Sequence, residues 1–232
     1  MYAECFFASS PHYTIAADPA LSSQNIKPSP PTVYLTFDDG PTPLTSEVLD
    51  ILHRERVKAT FFVQGERAGQ EPGLIRRALR EGHAIGNHCY DHAYTRLYSS
   101  FQTFWNEVQR TEQIVYGISG IRPQLVRAPG GTYSHFDQHY YRYMKEAGYI
   151  VYDWHIDSGD SKGNHVPAGQ IVQTVATQPL KHELVVLLHD GPGHKETVKA
   201  LPEIISFYKK RKGTLLHRSL RRWHQCSFLS EN

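Results

Sequence analysis

The stretch Val33–Pro41, VYLTFDDGP, decides how the rest of the chain is interpreted. Its run of β-branched and aromatic residues predicts a buried strand, and Gly40 with Pro41 predicts a sharp turn directly after two carboxylates. Neighbouring side chains on extended backbone point in opposite directions, but at a strand end Asp39 can bind a cation while Asp38 stays free. Taken alone, a D-D-G-P sequence is more often a helix cap or an ordinary turn.

Short apolar runs alternate with helical periodicity from Thr32 onward, which is typical of βα units and a parallel sheet in a single domain. About seven strands are predicted in this α/β fold: Val33–Phe37, Ala59–Val63, Ala84–Gly86, Gln124–Arg127, Tyr149–Asp153, Leu184–Leu188 and one near Thr214–Leu216. Helices are predicted from an N-cap at Thr45 to about Glu55, and over Gly73–Arg80, Phe101–Tyr116, Asp137–Ala147, Ala168–Thr177 and Thr197–Lys210. Periodicity alone does not separate an open sheet from a closed barrel.

Composition bounds the class of protein. The 232 residues are 40% hydrophobic and 21% charged, values of an ordinary folded domain that argue against wholesale disorder and against a membrane protein. A net charge of +2 gives no support for nucleic-acid binding. The basic C-terminal cluster is interpreted as a solvated helix end and surface tail. We expect a monomer.

Residues 1–31 are predicted to be a flexible lead-in, and residues 32–232 the functional domain. The start of the chain has neither a complete signal peptide nor a membrane span. Three widely separated cysteines, Cys5, Cys89 and Cys226, do not form a disulfide framework, so they leave the compartment open.

Polar side chains follow one predicted strand after another. Asp38 and Asp39 follow the first strand, and the later strands are followed by His88, Arg127, Asp153 and His189. Functional sites of parallel α/β folds are found at the carboxyl ends of the strands. We therefore expect these side chains to meet at one site.

His88 and His92, in the sequence HCYDH, are four residues apart. On a helical turn this spacing places both rings on one face, where they can share a metal ion. Among 14 histidines the spacing also arises by chance, and it recurs at His135 and His139. Together with Asp39, however, His88 and His92 form the ligand set of many hydrolytic zinc sites, which leave a position for water.

Five motifs together resemble the polysaccharide deacetylase family, also called the NodB homology domain or carbohydrate esterase family four. They are TFDDGP at Thr36–Pro41, HCYDH at His88–His92, RAPGG at Arg127–Gly131, DSGD at Asp157–Asp160 and LLH at Leu187–His189. They occur in the family's order and span nearly all of the chain beyond its lead-in. The combination is specific, although no single motif is.

The resemblance implies a single distorted (β/α) barrel with one divalent metal ion held by Asp39, His88 and His92. Zinc is the expected ion, with cobalt or another divalent ion as the alternative. Asp38 is then the base that takes a proton from metal-bound water, and His189 is the acid that protonates the leaving group.

The remaining site residues follow from the same resemblance. Arg127 pairs with the base, and Asp160 contacts this arginine. Leu187 lines the pocket for the acetyl methyl group, and the loop at Pro129 and Gly130 binds substrate, with the Gly130 N–H stabilising the oxyanion. Trp154 offers a surface on which a sugar ring can stack, although a tryptophan at a strand end is more often a core residue.

Three positions depart from the family pattern. Cys89 replaces a serine or threonine whose hydroxyl supports the ligand loop, and packing is the favoured interpretation of its thiol. Gly130 and Ser161 stand where aromatic residues are usual, so the sugar groove is expected to be wider or shallower.

The function implied is metal-dependent hydrolysis of N-acetyl groups from polysaccharide that contains N-acetylglucosamine, such as peptidoglycan or chitin. An O-acetyl esterase acting on xylan needs the same metal, base and oxyanion donor and stays open. A non-catalytic glycan-binding protein is the third alternative, and the presence of both Asp38 and His189 argues against it. Because such glycans lie outside the cytoplasm, we expect an extracellular or cell-surface location.

Overall fold

The computed structural model describes residues 31–163, 165–211 and 220. Its strands form one parallel sheet in the order β5-β4-β3-β2-β1-β7-β6. The strands are β1 Thr32–Asp38, β2 Ala59–Val63, β3 Ala84–Asn87, β4 Leu125–Val126, β5 Ile150–Val151, β6 Ile156–Asp157 and β7 Glu183–His189. The helices are α1 Pro43–Glu55, α2 Gly65–Gln70, α3 Pro72–Arg80, α4 Tyr94–Leu97, α5 Phe101–Ser119, α6 Gln138–Glu146, α7 Ala168–Ala176 and α8 Lys195–Lys210.

The sheet curls into a half-barrel, which confirms the expected distorted barrel. Two strands lie between β1 and β4, so in a flat sheet these strands would be about 14 Å apart with parallel side chains. Instead, Arg127, directly after β4, donates a hydrogen bond of 2.9 Å to Asp38 at the end of β1. This contact across two intervening strands agrees with the curl of the sheet. Within the described residues, the edge strands β5 and β6 do not pair, so the barrel is incomplete.

The alternation of side chains along each strand divides the apolar core. On β1, Val33, Leu35 and Phe37 face the helices and pack with residues of α1, α3, α7 and α8. Tyr34 faces the barrel interior, in a cluster that includes Phe62 of β2. A third cluster fills the space between α5, α6 and the β4 side of the sheet. Interior side chains therefore form layers below the carboxyl ends of the strands.

The capping box of α1 corrects one predicted boundary. Thr42, not Thr45, is the N-cap: its hydroxyl accepts from the Leu44 N–H, and the Thr45 hydroxyl accepts from the Thr42 N–H. Pro43 then occupies the first helical turn, where its missing N–H costs nothing. The helix therefore begins three residues earlier than the apolar periodicity indicates.

Other elements differ from the prediction because they are short. The strand β6 has two residues, and α2 and α4 have six and four, too few to produce a period. The strand predicted near Thr214–Leu216 lies outside the described residues. In the described part of the chain, no helix has the length and apolar character needed to cross a membrane.

Candidate active site

The carboxyl ends of the parallel strands bring the predicted residues together. Asp38 and His189 are paired across β1 and β7 in the same register, so both lie at one level of the barrel mouth. His88 follows β3, and Arg127 follows β4. Gln64 follows β2 and completes the series. The site is therefore built from strand ends, and β1 supplies its centre.

Asp39, His88 and His92 converge on one point. Asp39 Oδ1 lies 3.4 Å from His92 Nε2 and 3.6 Å from His88 Nε2. These separations are long for hydrogen bonds, but two ligands that each lie about 2.1 Å from a tetrahedral metal ion are about 3.4 Å apart. The three ligand atoms therefore have the spacing of a metal site.

The loop that carries His88 and His92 is not the helical turn that the spacing predicted. Cys89 and His92 have φ values of 61° and 64°, and no residue between β3 and α4 is helical. Such left-handed backbone is unfavourable for residues other than glycine, so surrounding contacts must hold it. Thr111 Oγ1 donates to the Cys89 carbonyl at 2.8 Å, and Glu107 accepts from the Tyr90 N–H at 3.0 Å. Helix α5 thus fixes the loop.

Groups behind the ligands favour the forms that bind a metal ion. His88 Nδ1 lies 2.8 Å from the Arg127 carbonyl, which orients the ring and leaves Nε2 with its lone pair. Gln64 Nε2 donates to Asp39 Oδ1 at 2.8 Å. Burial lowers the pKa of His92, which favours its neutral form. Burial opposes ionisation of Asp39, but the surrounding imidazoles and the hydrogen bond from Gln64 outweigh it and lower the pKa of this carboxylate. One carboxylate and two imidazoles form a donor set that fits a divalent metal ion.

Asp38 is held by a buried arginine, as the resemblance implied. Arg127 is fully buried, and its Nη1 donates to Asp38 Oδ1 at 2.9 Å and to Thr36 Oγ1 at 2.7 Å. The other groups of the guanidinium donate to the carbonyls of Tyr152 and Asp153, and its Cζ lies 4.2 Å from the centre of the Phe62 ring. The second oxygen, Asp38 Oδ2, lies 3.7 Å from His88 Nε2 and faces the metal ligands.

The predicted contact between Asp160 and Arg127 is wrong. Asp160 Oδ1 lies 2.7 Å from His189 Nδ1, and Asp160 Oδ2 accepts from the His189 N–H and from Thr197 Oγ1, each at 2.8 Å. The reason is the strand order: β6 is the neighbour of β7, so the segment that follows β6 reaches His189. Arg127 lies across the barrel.

The Asp160–His189 pair sets the protonation state of the imidazole. Burial disfavours the charged ring, but the hydrogen bond and charge of Asp160, with the charges of Asp38 and Asp39, raise the pKa of His189 to about 9. Burial likewise opposes ionisation of Asp160, and the contacts with His189 outweigh it and lower its pKa. At neutral pH the pair is imidazolium and carboxylate, so the outward Nε2 of His189 carries a proton.

The four substrate-side residues lie around this centre. Leu187 is buried on the face of β7 that also carries His189, one layer deeper in the barrel. The Pro129 carbonyl accepts from the Tyr98 hydroxyl at 2.6 Å, and the Gly130 N–H makes no hydrogen bond to a described residue. Trp154 is half-buried against Gly131, where an added Cβ would lie 3.0 Å from its ring. Their roles toward substrate stay predictions.

The departures from the family pattern have different structural outcomes. Cys89 is fully buried in the apolar cluster with Val108 and Met144, in agreement with packing, and burial raises the pKa of its thiol. Gly130 has a φ of 75° and lies under the ring of Tyr94. Ser161, in contrast, lines a cavity of about 270 Å³ next to Asp160.

Sequence reasoning also left functional neighbours unassigned. Gln64 was identifiable, because it directly follows β2 as the other site residues follow their strands. Asp190 is fully buried behind the DDGP loop, where its Oδ2 accepts from Thr45 Oγ1 at 2.6 Å and its Oδ1 has no partner among the described residues. An added Cβ on Gly40 would lie 2.4 Å from this carboxylate, so only glycine fits there.

The second H-x-x-x-H pair has no part in the site. His135 stacks on Tyr98 with ring centres 3.7 Å apart, and His139 packs against Phe101 and Tyr143. Among the described residues, neither belongs to a group of potential metal ligands.

Known proteins resemble this chain in both sequence and fold. The sequence model of the family described as polysaccharide deacetylase matches residues 25–152. Peptidoglycan-N-acetylglucosamine deacetylase of Bacillus cereus is 36% identical over 182 residues, which are 77% of this chain and 66% of that protein. Chitin deacetylase of Colletotrichum lindemuthianum is 32% identical over 194 residues, 79% of this chain and 76% of that protein.

Among solved structures, the polysaccharide deacetylase Bc1974 from Bacillus cereus is similar to this chain with a TM-score of 0.78 and 35% identity, over 84% of this chain and 94% of that one. The chain spans just under two thirds of the length of the first curated relatives, 66% of one and 64% of another. On the match of the family model and on identities above 30% over most of its length, the chain belongs to the polysaccharide deacetylase family.

Proposed function

We propose that this chain hydrolyses N-acetyl groups from polysaccharide that contains N-acetylglucosamine, either peptidoglycan or a chitin-like polymer. One observation carries the proposal: Oδ2 of Asp38 and the imidazole of His189 lie on neighbouring strand ends beside the cluster of Asp39, His88 and His92. A base, an acid and a set of metal ligands around one point are the requirements for hydrolysis of an acetyl group.

The ligands Asp39, His88 and His92 would hold one divalent metal ion. When bound, such an ion lowers the pKa of a water molecule to about 7 and polarises a carbonyl oxygen. The carboxylate and the two imidazoles present the donor atoms that zinc prefers, and their spacing fits its radius.

Asp38 is the proposed general base. Its Oδ1 is fixed by Arg127, so only Oδ2 is free to accept the proton of the attacking water. The buried guanidinium also keeps the carboxylate oriented, because it is itself held by Thr36 and by two carbonyl groups. The base is therefore rigid before substrate arrives.

The Gly130 N–H is the proposed donor to the oxyanion. Gly130 follows Pro129, whose carbonyl accepts a hydrogen bond from the Tyr98 hydroxyl. Among the described residues, the Gly130 N–H has no acceptor. A backbone donor in a fixed loop stabilises the charge that develops on the carbonyl oxygen without a cost of reorganisation.

His189 is the proposed general acid. Its Nδ1 is held by Asp160, so Nε2 can donate its proton to the sugar nitrogen as the carbon–nitrogen bond breaks and acetate forms. The two proton carriers, Asp38 and His189, belong to neighbouring strands and do not share a hydrogen bond. They can therefore act in sequence during one turnover.

The preference for N-acetyl over O-acetyl substrates rests on the relatives named as N-acetylglucosamine and chitin deacetylases. With such substrates we propose an extracellular or cell-surface location, and an acetylated glycan rather than a nucleic acid as the partner. A non-catalytic glycan-binding role is less well supported, because both proton carriers are present and fixed.

The test is acetate release from a matched panel of chitooligosaccharides, peptidoglycan fragments and acetylated xylan, with metal content measured on the same sample. We expect release from the N-acetylated glycans, loss of activity on chelation and recovery with zinc. Asp38→Asn should lower turnover by about 10²- to 10⁴-fold while leaving metal content unchanged. Full activity of this variant, or release from xylan alone, would contradict the proposal.

A further inference from the structure

Tyr94 lies beside the proposed site but belongs to none of its motifs. Its ring meets the ring of the metal ligand His92 at an interplanar angle of 89°, with centres 4.7 Å apart. On its other side the ring lies next to the loop at Pro129 and Gly130. A Cβ built on Gly130 would lie 3.1 Å from Tyr94 Cε1 and 3.3 Å from its hydroxyl oxygen. The ring thus lies between His92 and the main chain at Gly130.

Gly130 is what allows this arrangement. Its φ of 75° strains any residue other than glycine, and a side chain there would push against the tyrosine ring. Gly130 therefore presents no side chain to the site. The aromatic surface next to it is the ring of Tyr94, on α4.

The position of Tyr94 is fixed by its helix. Leu97 is buried in the apolar cluster under α4, and Arg96 bridges the carboxylates of Asp91 and Glu107. The Tyr94 side of this short helix nevertheless stays open, because 45% of the residue is exposed. A fixed and exposed aromatic ring is a preorganised binding surface.

The phenol also offers a hydrogen bond. Among the described residues the Tyr94 hydroxyl has no partner, although it is next to the site. A phenolic O–H can both donate and accept a hydrogen bond, so it can pair with a hydroxyl group of a sugar.

We propose that Tyr94 binds substrate: its ring forms one wall of the site for the acetylated sugar, and its hydroxyl donates a hydrogen bond to a hydroxyl group of that sugar. This inference rests on the proposed function, which supplies the sugar substrate. Apolar ring faces with a few placed polar groups are the usual lining of a small-molecule site. Here the C–H face of a pyranose packs on the aromatic surface.

The experiment separates binding from catalysis. Binding of a chitooligosaccharide to the metal-free protein is measured by calorimetry, and acetate release by the zinc-loaded protein gives kcat and KM. The variants are Tyr94→Ala and Tyr94→Phe, with Tyr116→Ala as the matched control, because Tyr116 is an exposed tyrosine on α5. We expect Tyr94→Ala to weaken binding and raise KM about 10-fold, with kcat within about threefold of wild type.

Tyr94→Phe should weaken binding about threefold through loss of the hydrogen bond, and Tyr116→Ala should change neither quantity. If Tyr94 only supports His92, Tyr94→Ala will lower metal content and kcat together and leave oligosaccharide binding unchanged, which overturns the inference. Oligosaccharide binding without acetate release would reject the proposed function alone, and the Tyr94 variants would still decide the binding role. A wild-type protein that binds no oligosaccharide would overturn both.

Discussion

Two clusters with the same composition lie side by side at the mouth of the barrel. Asp39, His88 and His92 form one, and Asp160, His189 and His194 form the other; each contains a carboxylate and two imidazoles within 4.8 Å of one another. In the first cluster the shortest distance from a carboxylate oxygen to an imidazole nitrogen is 3.4 Å, whereas in the second it is 2.7 Å. The first has room for a shared metal ion, and the second already shares a proton.

The arrangement of the rings supports this distinction. His189 and His194 stack with an interplanar angle of 22° and centres 5.0 Å apart. Asp160 is hydrogen-bonded to the ring of His189, whereas His194 Nδ1 lies 3.3 Å from the Gly191 carbonyl oxygen. Both Asp160 oxygens are also occupied by hydrogen bonds. Residue types and proximity therefore do not identify a metal site. What distinguishes the two clusters is whether the carboxylate is already hydrogen-bonded to an imidazole of its own cluster.

The largest expected effect comes from removal of a ligand from the first cluster. His92→Ala leaves two ligands, so we expect the purified protein to lose its metal ion and its turnover to fall by at least about 10³-fold. His194→Ala removes an imidazole from the second cluster and should leave one metal ion per chain. Metal content and acetate release, measured on both variants, test the distinction. A second metal ion that disappears with His194→Ala would break it.

A smaller effect is expected from the carboxylate of the second cluster. The pKa of about 9 for His189 means that its proton is present below pH 9 and lost above it, so the wild-type rate should fall on the alkaline side. Asp160→Asn removes the charge that holds the proton, so the alkaline limb should move about two to three pH units lower and the rate at pH 8 should fall about 10- to 100-fold.

The pH dependence of kcat/KM for acetate release measures this shift, with Asp157→Asn as the control because Asp157 bonds to Gly159 and Lys162 rather than to His189. A metal ion bound by Asp39, His88 and His92 would shift the alkaline limb to lower pH in both wild type and Asp160→Asn. The difference between the two pH profiles would remain. An unchanged profile in Asp160→Asn would show that the second cluster does not hold the catalytic proton.

The same distinction explains what the sequence could predict. The motifs predicted which residues meet, because polar residues at the ends of parallel strands share one edge of the sheet. They did not predict that Asp160 meets His189 rather than Arg127, because that depends on β6 lying beside β7. Strand order is a property of the whole fold and leaves no trace in local sequence.

The secondary structure follows a similar rule. The long apolar strands β1, β2 and β7 were predicted to within one residue at each end. Each is long enough to form a recognisable run of apolar residues in the sequence. The two-residue β6 and the short helices α2 and α4 show no period, so packing rather than local preference determines them. The left-handed backbone at Cys89 and His92 is likewise imposed by contacts with α5.

The smallest expected effect concerns a carboxyl group that belongs to neither cluster. Asp190 is buried without a cation; burial, assisted by the charges of Asp39 and Asp38, raises its pKa to about 7 despite the hydrogen bond from Thr45. The folded protein therefore keeps this proton while the unfolded chain loses it above about pH 4. The stabilisation that the bound proton gives the folded protein is complete below about pH 4. It is lost as the pH rises from about 4 to about 7.

Asp190→Asn mimics the protonated carboxyl and should remove this dependence. Between pH 5 and pH 8 the free energy of unfolding of the metal-free wild type should fall by about 2 kcal/mol more than that of the variant. Urea unfolding at both pH values measures the difference, and Asp50→Asn, on an exposed part of α1, should keep the wild-type slope. Equal slopes in wild type and Asp190→Asn would mean that Asp190 is ionised, and that a buried carboxylate in this site can stay charged with neither a metal ion nor an imidazole as its partner.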